Sequence, residues 1–314
     1  MPGASPQGPI EAVAGVDIGG TRIKGALVDR SGRAVHAVTV PTPPDLGSPG
    51  ALTRAVTRIV DELQGMADGM GHGVRLRACG VVVPGLVDED RGVAVRAANL
   101  GWRDLEVRAP LQEALAVPVA LGHDVRAGLV AEVRLGAARD VENALFVPLG
   151  TGIACALLVD GRVLHAGGYA GELGHVQVEP AGLRCGCGGR GCLETVSSAA
   201  AIERAYAAAA GLGAAVGADV VAALVVAGDP HATAVWDRAV AALARALVMA
   251  VTLTGARLVL VGGGLATSGD VLLDPLRRAV HAGLTFQRAP TIERAALGDR
   301  AGCLGAGCLA WDLT

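Results

Sequence analysis

The fold is decided by the stretch Asp17-Ile18-Gly19-Gly20-Thr21-Arg22-Ile23-Lys24-Gly25, which follows a largely apolar run that begins at Glu11 and precedes a second one, Ala26 to Asp29, whose first three residues are apolar. This pattern predicts a strand, a glycine-rich turn and a second strand, with backbone N–H groups and the Thr21 hydroxyl at the tip. Such a tip can hold phosphate oxygens, and Asp17 at the strand end can hold Mg²⁺ through water. From these residues alone, an ordinary hairpin is an equal alternative. The stretch lacks the Gly-Lys-Ser/Thr ending of a P-loop, which argues against that nucleotide fold.

The same layout recurs in the second half of the chain. Residues 144–149 and 153–159 are apolar, and Gly150-Thr151-Gly152 lies between them. Two copies of one phosphate-holding hairpin predict two related α/β domains that face each other across a cleft. Further on, a predicted buried strand, Arg257 to Val261, leads into Gly262-Gly263-Gly264 and a predicted helix. A triple glycine on its own is also compatible with a tight turn between a strand and a helix.

A third stretch concentrates metal-binding side chains between the second hairpin and the helices that follow. It runs from Gly171-Glu172-Leu173-Gly174-His175 to Cys185-Gly186-Cys187-Gly188-Gly189-Arg190-Gly191-Cys192-Leu193-Glu194. Three thiols and an imidazole within a glycine-spaced segment favour a tetrahedral Zn²⁺ site over a redox pair or buried free thiols. The predicted ligands are His175, Cys185, Cys187 and Cys192. Such a set leaves Glu172 and Glu194 available to bind the hydroxyl groups of a polyol.

Composition excludes several classes of protein. The 314 residues suffice for two domains, and with 52% apolar but 2% aromatic residues their cores must be built from Ala, Val and Leu. A net charge of −3 gives no reason to expect a nucleic acid partner. The apolar segment 246–256 is too short to cross a bilayer, and residues 1–9 lack the features of a signal peptide. Seven cysteines, three of them assigned to metal, fit a reducing compartment better than a disulfide framework. We therefore expect a cytoplasmic protein without a membrane partner.

The order and the residue types of these motifs resemble those of a known family. Gly-Glu-x-Gly-His followed by Cys-x-Cys-Gly-x-x-Gly-Cys-x-Glu is similar to the signature of the ROK family (repressors, open reading frames and sugar kinases). The hairpin at Asp17, the second glycine turn and the triple glycine resemble the two phosphate motifs and the adenosine motif of the actin-like ATPase superfamily. The resemblance implies two actin-like ATPase (ribonuclease H-like) domains flanking a cleft. The implied ATP and phosphate contacts are Asp17, Gly19, Gly20, Thr21, Lys24, Gly150, Thr151, Gly152, Gly262, Gly263 and Gly264.

The resemblance also implies a catalytic residue and a sugar site. ROK kinases carry a catalytic Asp within Asn-Asp-x-Asn-Ala, and this chain has His123-Asp124-Val125-Arg126-Ala127 at that point. Asp124 is therefore the expected base, although an Asp near a helix start is often only an N-cap. The two departures put the sugar in question: His123 could read a hydroxyl with one donor and one acceptor, and Arg126 could favour an acidic sugar. The implied sugar ligands are Asn99, His123, Asp124, Glu172, His175 and Glu194. For Asn99, a simple turn role is the alternative.

These expectations combine into one functional hypothesis. The family resemblance implies an ATP-dependent hexose kinase acting on glucose, with structural Zn²⁺, with Mg²⁺ accompanying ATP, and with a homodimeric or homotetrameric assembly. N-acetylmannosamine, N-acetylglucosamine, fructose and allose are alternative substrates, and polyphosphate is an alternative donor. A repressor of the same family is disfavoured, because the 16 residues before Asp17 are too few for a winged helix-turn-helix.

The predicted domain boundaries follow from the same family resemblance. The first domain spans residues 1–121, with a loose tail over 1–10. The second spans 122–300 and contains the zinc-binding segment 171–194, and a final helix within 301–314 folds back on the first domain.

Overall fold

The computed structural model describes residues 9–48, 50–69, 73–97 and 100–314. The chain forms two compact units. The first unit contains the residues up to Ala131 together with His165–Tyr169 and Arg300–Thr314, and the second contains Glu132–Leu164 and Ala170–Asp299.

Thirteen strands and nine α-helices are found within the described ranges. The strands are β1 (Ile10–Ile18), β2 (Arg22–Val28), β3 (Ala34–Pro41), β4 (Val74–Val83), β5 (Leu86–Asp88), β6 (Val93–Ala97), β7 (Trp102–Glu106), β8 (Val119–His123), β9 (Ala144–Pro148), β10 (Ala156–Val159), β11 (Arg162–Val163), β12 (Leu258–Gly262) and β13 (Thr291–Arg294). The helices are α1 (Ala51–Gly69), α2 (Arg108–Leu115), α3 (Asp124–Leu135), α4 (Glu194–Ser197), α5 (Ala199–Ala209), α6 (Ala218–Val226), α7 (Pro230–Thr254), α8 (Asp270–Gly283) and α9 (Ala301–Trp311).

The first unit is built on a five-stranded sheet in the order β3-β2-β1-β4-β8. β1 and β2 form the predicted antiparallel hairpin, whereas β1, β4 and β8 run parallel. Residues 78–83 of β4 are all buried, as expected for a central strand covered on both faces. Gly15 and Gly80 bring the sheet against the backbone of α9, and on the other face Gly25 lies against Ile59 of α1.

The second unit repeats this arrangement with the order β11-β10-β9-β12-β13. β9 and β10 are antiparallel, and β9, β12 and β13 are parallel. Its longest helix, α7, begins after Asp229, whose carboxylate accepts the Ala232 N–H at 2.7 Å, and ends at Gly255 in a left-handed conformation. The predicted α/β class, with two related halves, is confirmed.

The division between the units lies later in the chain than the predicted boundary at residue 121. It falls inside α3, because the two ends of this helix pack on different partners. Ala127 touches Gly305 of α9, which belongs to the first unit. Glu132, fully buried, accepts the N–H of Ala137 at 2.9 Å and that of Leu297 at 2.8 Å in the second unit.

The strands β5, β6 and β7 form a separate three-stranded sheet that the sequence analysis did not predict. Its last strand, Trp102–Glu106, directly precedes α2, which begins at Arg108. Only Trp102 is buried in that strand, so the alternation that marks a strand is hidden among charged residues. Among the described helices, none has the length and apolar character needed to cross a membrane.

Candidate active site and metal centre

The carboxyl ends of β1, β4 and β8 meet at one edge of the first sheet. The parallel register sets Asp17 beside Val82, and Val83 beside His123. Asp124 directly follows β8 as the first residue of α3. Ligands in open α/β sheets bind at this kind of edge, and it brings two sequence-predicted carboxylates into one region.

Asp124 is the most strongly perturbed acid of this region. Its side chain is 30% exposed, and its Oδ1 accepts the Val125 N–H at 2.7 Å. Burial, reinforced by the negative charge of Asp17, raises the pKa of Asp124 to about 7. A carboxyl with this pKa exchanges its proton near neutral pH, which suits a general base.

His123 turns one ring nitrogen toward the start of α3. Nδ1 accepts the N–H groups of Val125 at 3.2 Å and Arg126 at 3.4 Å, and the residue is 8% exposed. Burial and the charge of Arg126 lower the pKa of His123 to about 3. From the sequence we expect this ring to offer a sugar both a donor and an acceptor, but the first amides of α3 occupy Nδ1, the acceptor.

Arg126 is buried in an ion pair that the sequence analysis missed. Its Nε lies 3.0 Å from Oε1 of Glu89, and Nη2 lies 2.9 Å from the same oxygen at an angle that does not make a hydrogen bond. Nδ1 of His165 lies 3.0 Å from the second oxygen of Glu89. Burial alone would raise the pKa of Glu89, but the hydrogen bond from His165 and the charge of Arg126 hold it below its ordinary value. Because its charge is compensated, Arg126 is not available for an acidic sugar.

The first glycine turn has a fixed base and an open tip. Gly19 donates its N–H to the carbonyl of Arg22 at 3.0 Å. Thr42 donates its hydroxyl to the Gly19 carbonyl at 2.7 Å and its N–H to the Thr21 carbonyl at 2.9 Å. Gly20 and Thr21 are exposed, and Lys24 lies directly opposite Asp17 in the hairpin register. Thr42 was not predicted; as part of a Pro-Thr-Pro-Pro run it carries no recognisable signal.

The other two glycine turns are neighbours in the second unit. Gly262 pairs with Pro148, so both turns leave the carboxyl ends of adjacent parallel strands, β9 and β12. Gly263, with φ +77°, packs against the backbone of Leu149, where a side chain would collide. The Leu265 N–H donates to the Leu149 carbonyl at 3.1 Å. A cavity of about 250 Å³ lies close by, lined by Asp219, Ala222, Ala223, Val226, Thr267, Ser268 and Val271.

The four predicted metal ligands converge. The ligand atoms of His175, Cys185, Cys187 and Cys192 all lie within 4.8 Å of one another. Sγ of Cys185 is 3.6 Å from Nδ1 of His175, and the Sγ atoms of Cys187 and Cys192 are 3.7 Å apart. A zinc tetrahedron with ordinary bond lengths has S···N edges of about 3.6 Å and S···S edges of about 3.8 Å. These two edges match those of a Zn²⁺ site, and all of these thiols are free rather than disulfide-bonded.

The two glutamates beside the metal cluster have different surroundings. Glu172 lies 3.8 Å from Nε2 of His175, the ring nitrogen that faces away from the thiols. Glu194 accepts the Ile153 N–H at 3.0 Å and rests against Gly152, where a Cβ would lie 2.5 Å from its carboxylate. Glu194 thus ties the cysteine segment to the second glycine turn, a contact that the sequence analysis did not foresee. Asn99 lies outside the described residues.

Two five-stranded sheets of the same order, each with a glycine turn between its first two strands, define the actin-like ATPase class of fold. The ROK family profile matches residues 13–312, and the chain belongs to this family.

Individual relatives agree with that assignment. The chain is 33% identical to a glucokinase of Halalkalibacterium halodurans, over 94% of this chain and 93% of that protein. It superposes on a ROK hexokinase from Thermus thermophilus with a TM-score of 0.80 and 34% identity, covering 96% and 98% of the two chains. A ROK glucokinase from Streptomyces griseus, solved with glucose and AMPPNP, gives a TM-score of 0.80 at 28% identity, covering 96% and 99%.

Proposed function

We propose that this chain is an ATP-dependent hexose kinase that phosphorylates the 6-hydroxyl of glucose. The observation that carries the proposal is Asp124, a half-buried carboxyl with a pKa of about 7 at the ligand-binding edge of the first sheet. The glucokinases among the relatives support glucose as the acceptor. The proposed sugar ligands are Asn99, His123, Asp124, Glu172, His175 and Glu194.

In the proposed reaction Asp124 acts on the proton of the acceptor hydroxyl. As the sugar oxygen forms its bond to the γ-phosphorus, Asp124 takes that proton, and the bond from phosphorus to the β,γ-bridging oxygen breaks to release ADP. A positioned base contributes roughly 10² to 10⁴ in rate. Exposed Gly20 and Thr21 are suited to hold phosphoryl oxygens.

Asp17 is the residue proposed to hold Mg²⁺, through water. Its carboxylate lies near Asp124 and against Gly302 of α9, where there is no side chain to fill the space. Paired carboxylate oxygens are the donor set that a hard cation prefers. When bound with ATP, Mg²⁺ would neutralise charge on the phosphates.

ATP is the proposed donor rather than polyphosphate. The cavity beside the triple glycine has apolar walls from Ala222, Val226 and Val271, and polar groups from Thr267 and Asp219. Apolar walls with a few polar groups suit a purine base, whereas Asp219 would repel a polyanion. The proposed phosphate and nucleotide contacts otherwise remain those of the three glycine turns, with Lys24.

The cysteine cluster is proposed to hold one structural Zn²⁺ per chain. Its edge lengths support zinc, and a closed set of four protein ligands suits a structural rather than a catalytic ion. The thiolates need a reducing environment, which supports the proposed cytoplasmic location.

A homodimer or homotetramer is the proposed assembly. An apolar groove of about 540 Å³ runs along α7 and α8, lined in part by Val248, Met249 and Ala279. Leu253 and Phe286 are 86% and 84% exposed. Large exposed apolar surfaces of this kind mark contact sites. Light scattering after size exclusion tests the assembly, and a monomer at micromolar concentration would contradict it.

The function is tested with a coupled assay over a panel of sugars and two donors. We expect the highest kcat/KM for glucose with ATP, ahead of N-acetylglucosamine, N-acetylmannosamine, fructose and allose, and no comparable rate with polyphosphate. A preference for an N-acetyl sugar would replace glucose as the substrate, and transfer to no sugar from either donor would overturn the kinase proposal.

A further inference from the structure

The start of α3 has an unusual cap. The first N–H groups of any α-helix have no acceptor within the helix and need one from elsewhere. Here Nδ1 of His123 lies 3.2 Å and 3.4 Å from the N atoms of Val125 and Arg126, the second and third helical residues. Asn, Asp, Ser and Thr are the usual residues at an N-cap, so the ring nitrogen of His123 is an uncommon capping group.

The cap determines which ring nitrogen of His123 carries hydrogen. Both backbone groups donate, so Nδ1 must present a lone pair, and the single hydrogen of the neutral ring lies on Nε2. Among the described residues, three charged or titratable groups face the ring: Asp124, with Oδ1 3.4 Å from Nδ1, Arg126 and Glu89. Glu89 favours an imidazolium, but its charge is shared with Arg126 and His165. Burial and Arg126 oppose a positive charge on His123.

The same cap fixes the orientation of Asp124. In the sequence, Asp124 lies between His123 and the two amides that His123 binds. The Val125 N–H is shared by Nδ1 of His123 and Oδ1 of Asp124, and it lies 2.7 Å from Oδ1. A shift of the helix start would move the carboxylate together with that amide. Displacement of a reacting group by about 1 Å can lower a rate by roughly 10²-fold.

We propose that His123 is a positioning residue for Asp124: as the neutral Nε2–H tautomer it caps α3 through Nδ1 and so holds the carboxylate in place. This inference rests on the proposed kinase function only for the consequence in rate. The cap and the tautomer are properties of the fold and can be measured without any turnover.

Two substitutions separate capping from bulk. His123→Leu removes the acceptor and keeps a bulky side chain, whereas His123→Asn supplies a carbonyl oxygen that can accept from the same two amides. We expect His123→Leu to lower kcat roughly 10- to 10²-fold with little change in KM for ATP, and His123→Asn to recover most of that loss. His36, on β3 and also 8% exposed, provides the control, since Leu and Asn at that position should give equal kcat. Equal kcat for His123→Leu and His123→Asn would overturn the proposal.

The tautomer is read by nuclear magnetic resonance on protein labelled with ¹⁵N-histidine. The signals that disappear in His123→Asn identify the residue. We expect an unprotonated Nδ1 and a protonated Nε2 that do not titrate between about pH 5 and 8. A hydrogen on Nδ1, or titration in this range, would contradict the cap even in a fully active enzyme. If the wild type phosphorylates no sugar, the proposed function fails while this spectrum still decides the cap.

Discussion

At the scale of single residues, Asp124 shows how the raised pKa of a proposed catalytic carboxyl lowers the stability of the fold. Its ordinary pKa of 3.8 is raised to about 7 by burial and by Asp17. Between these two values the unfolded chain has lost the proton while the folded protein keeps it. The free energy of unfolding therefore decreases as pH rises from about 4 to about 7, and the loss is complete above pH 7.

Replacing this carboxyl by an amide should have opposite effects on rate and on stability. In Asp124→Asn we expect kcat to fall at least about 10²-fold, because no base remains. At pH 8 the free energy of unfolding should rise by about 1–2 kcal/mol, less than the full pKa shift implies because the side chain keeps some contact with water. At pH 4 the difference should vanish. Denaturant unfolding at both pH values measures this, with the exposed Asp61→Asn of α1 as the matched control. A kcat within a few-fold of wild type would leave Asp124 without a catalytic role.

The activity should depend on pH in the direction set by the same group. A general base must be unprotonated, so kcat/KM for the sugar should rise with pH and level off above about 7. His123 should add no second step, because its pKa of about 3 lies far below this range. The residual activity of Asp124→Asn should lack the step near pH 7. An unchanged profile in that variant would assign the step to another residue.

Single residues also mark where sequence reasoning ends. The candidate role of Asp124 could be assigned from the sequence, because family motifs record residue type and order. The cap by His123 could not, since it depends on a ring orientation relative to a helix axis. Glu89 and His165 lie far apart in the sequence and meet only in the fold. Arg126, where the family motif has Asn, was interpreted from the sequence as a possible contact to an acidic sugar, whereas its side chain pairs with Glu89.

At the scale of elements, the segment from Glu172 to Glu194 derives its form from the cluster that it encloses. Between these two residues the segment contains one single-turn helical element, Leu173–His175, and two isolated bridges in place of long regular structure. Leu173, Val176, Val178 and Leu193 pack in the core of the second unit, and four converging ligands would hold the stretch between Val178 and Leu193. Four ligands were predictable because their spacing is local, whereas the contact from Glu194 to Ile153 spans the unit.

Removing one of these ligands should release the metal and loosen the segment. For Cys192→Ser we expect zinc content to fall from one per chain to near zero, the unfolding temperature to drop by roughly 5–10 °C, and sugar affinity to decrease because Glu194 lies two residues away. Elemental analysis and a thermal melt measure the first two. Cys155→Ser is the control, because that thiol is equally buried but lies outside the cluster and should lose stability without losing zinc. A metal-free wild type that is folded and active would contradict the zinc proposal.

At the scale of the whole molecule, the five-stranded sheets of the two units have the same strand order. The duplication was predictable, because each copy repeats an apolar run, a glycine turn and a second apolar run. The small sheet of β5, β6 and β7 and the strand β13 were not predicted. β13 reads Thr-Ile-Glu-Arg with only Ile292 buried, so it gains its identity from its parallel neighbour β12 rather than from its own sequence.

The first unit is completed by the last helix of the chain, and this dependence can be tested at a single glycine. A Cβ on Gly80, in the middle of β4, would overlap the carbonyl of Ala306 in α9. Since backbone atoms cannot give way as a flexible side chain can, Gly80→Ala must push α9 off the sheet. We expect a loss of about 1–3 kcal/mol in the free energy of unfolding of this unit, measured by urea denaturation. Gly65→Ala provides a control of opposite sign: that glycine is exposed within α1 with nothing near its Cβ position, so alanine should stabilise the helix by up to about 1 kcal/mol. Equal stability of Gly80→Ala and the wild type would show that α9 does not pack on the sheet in solution.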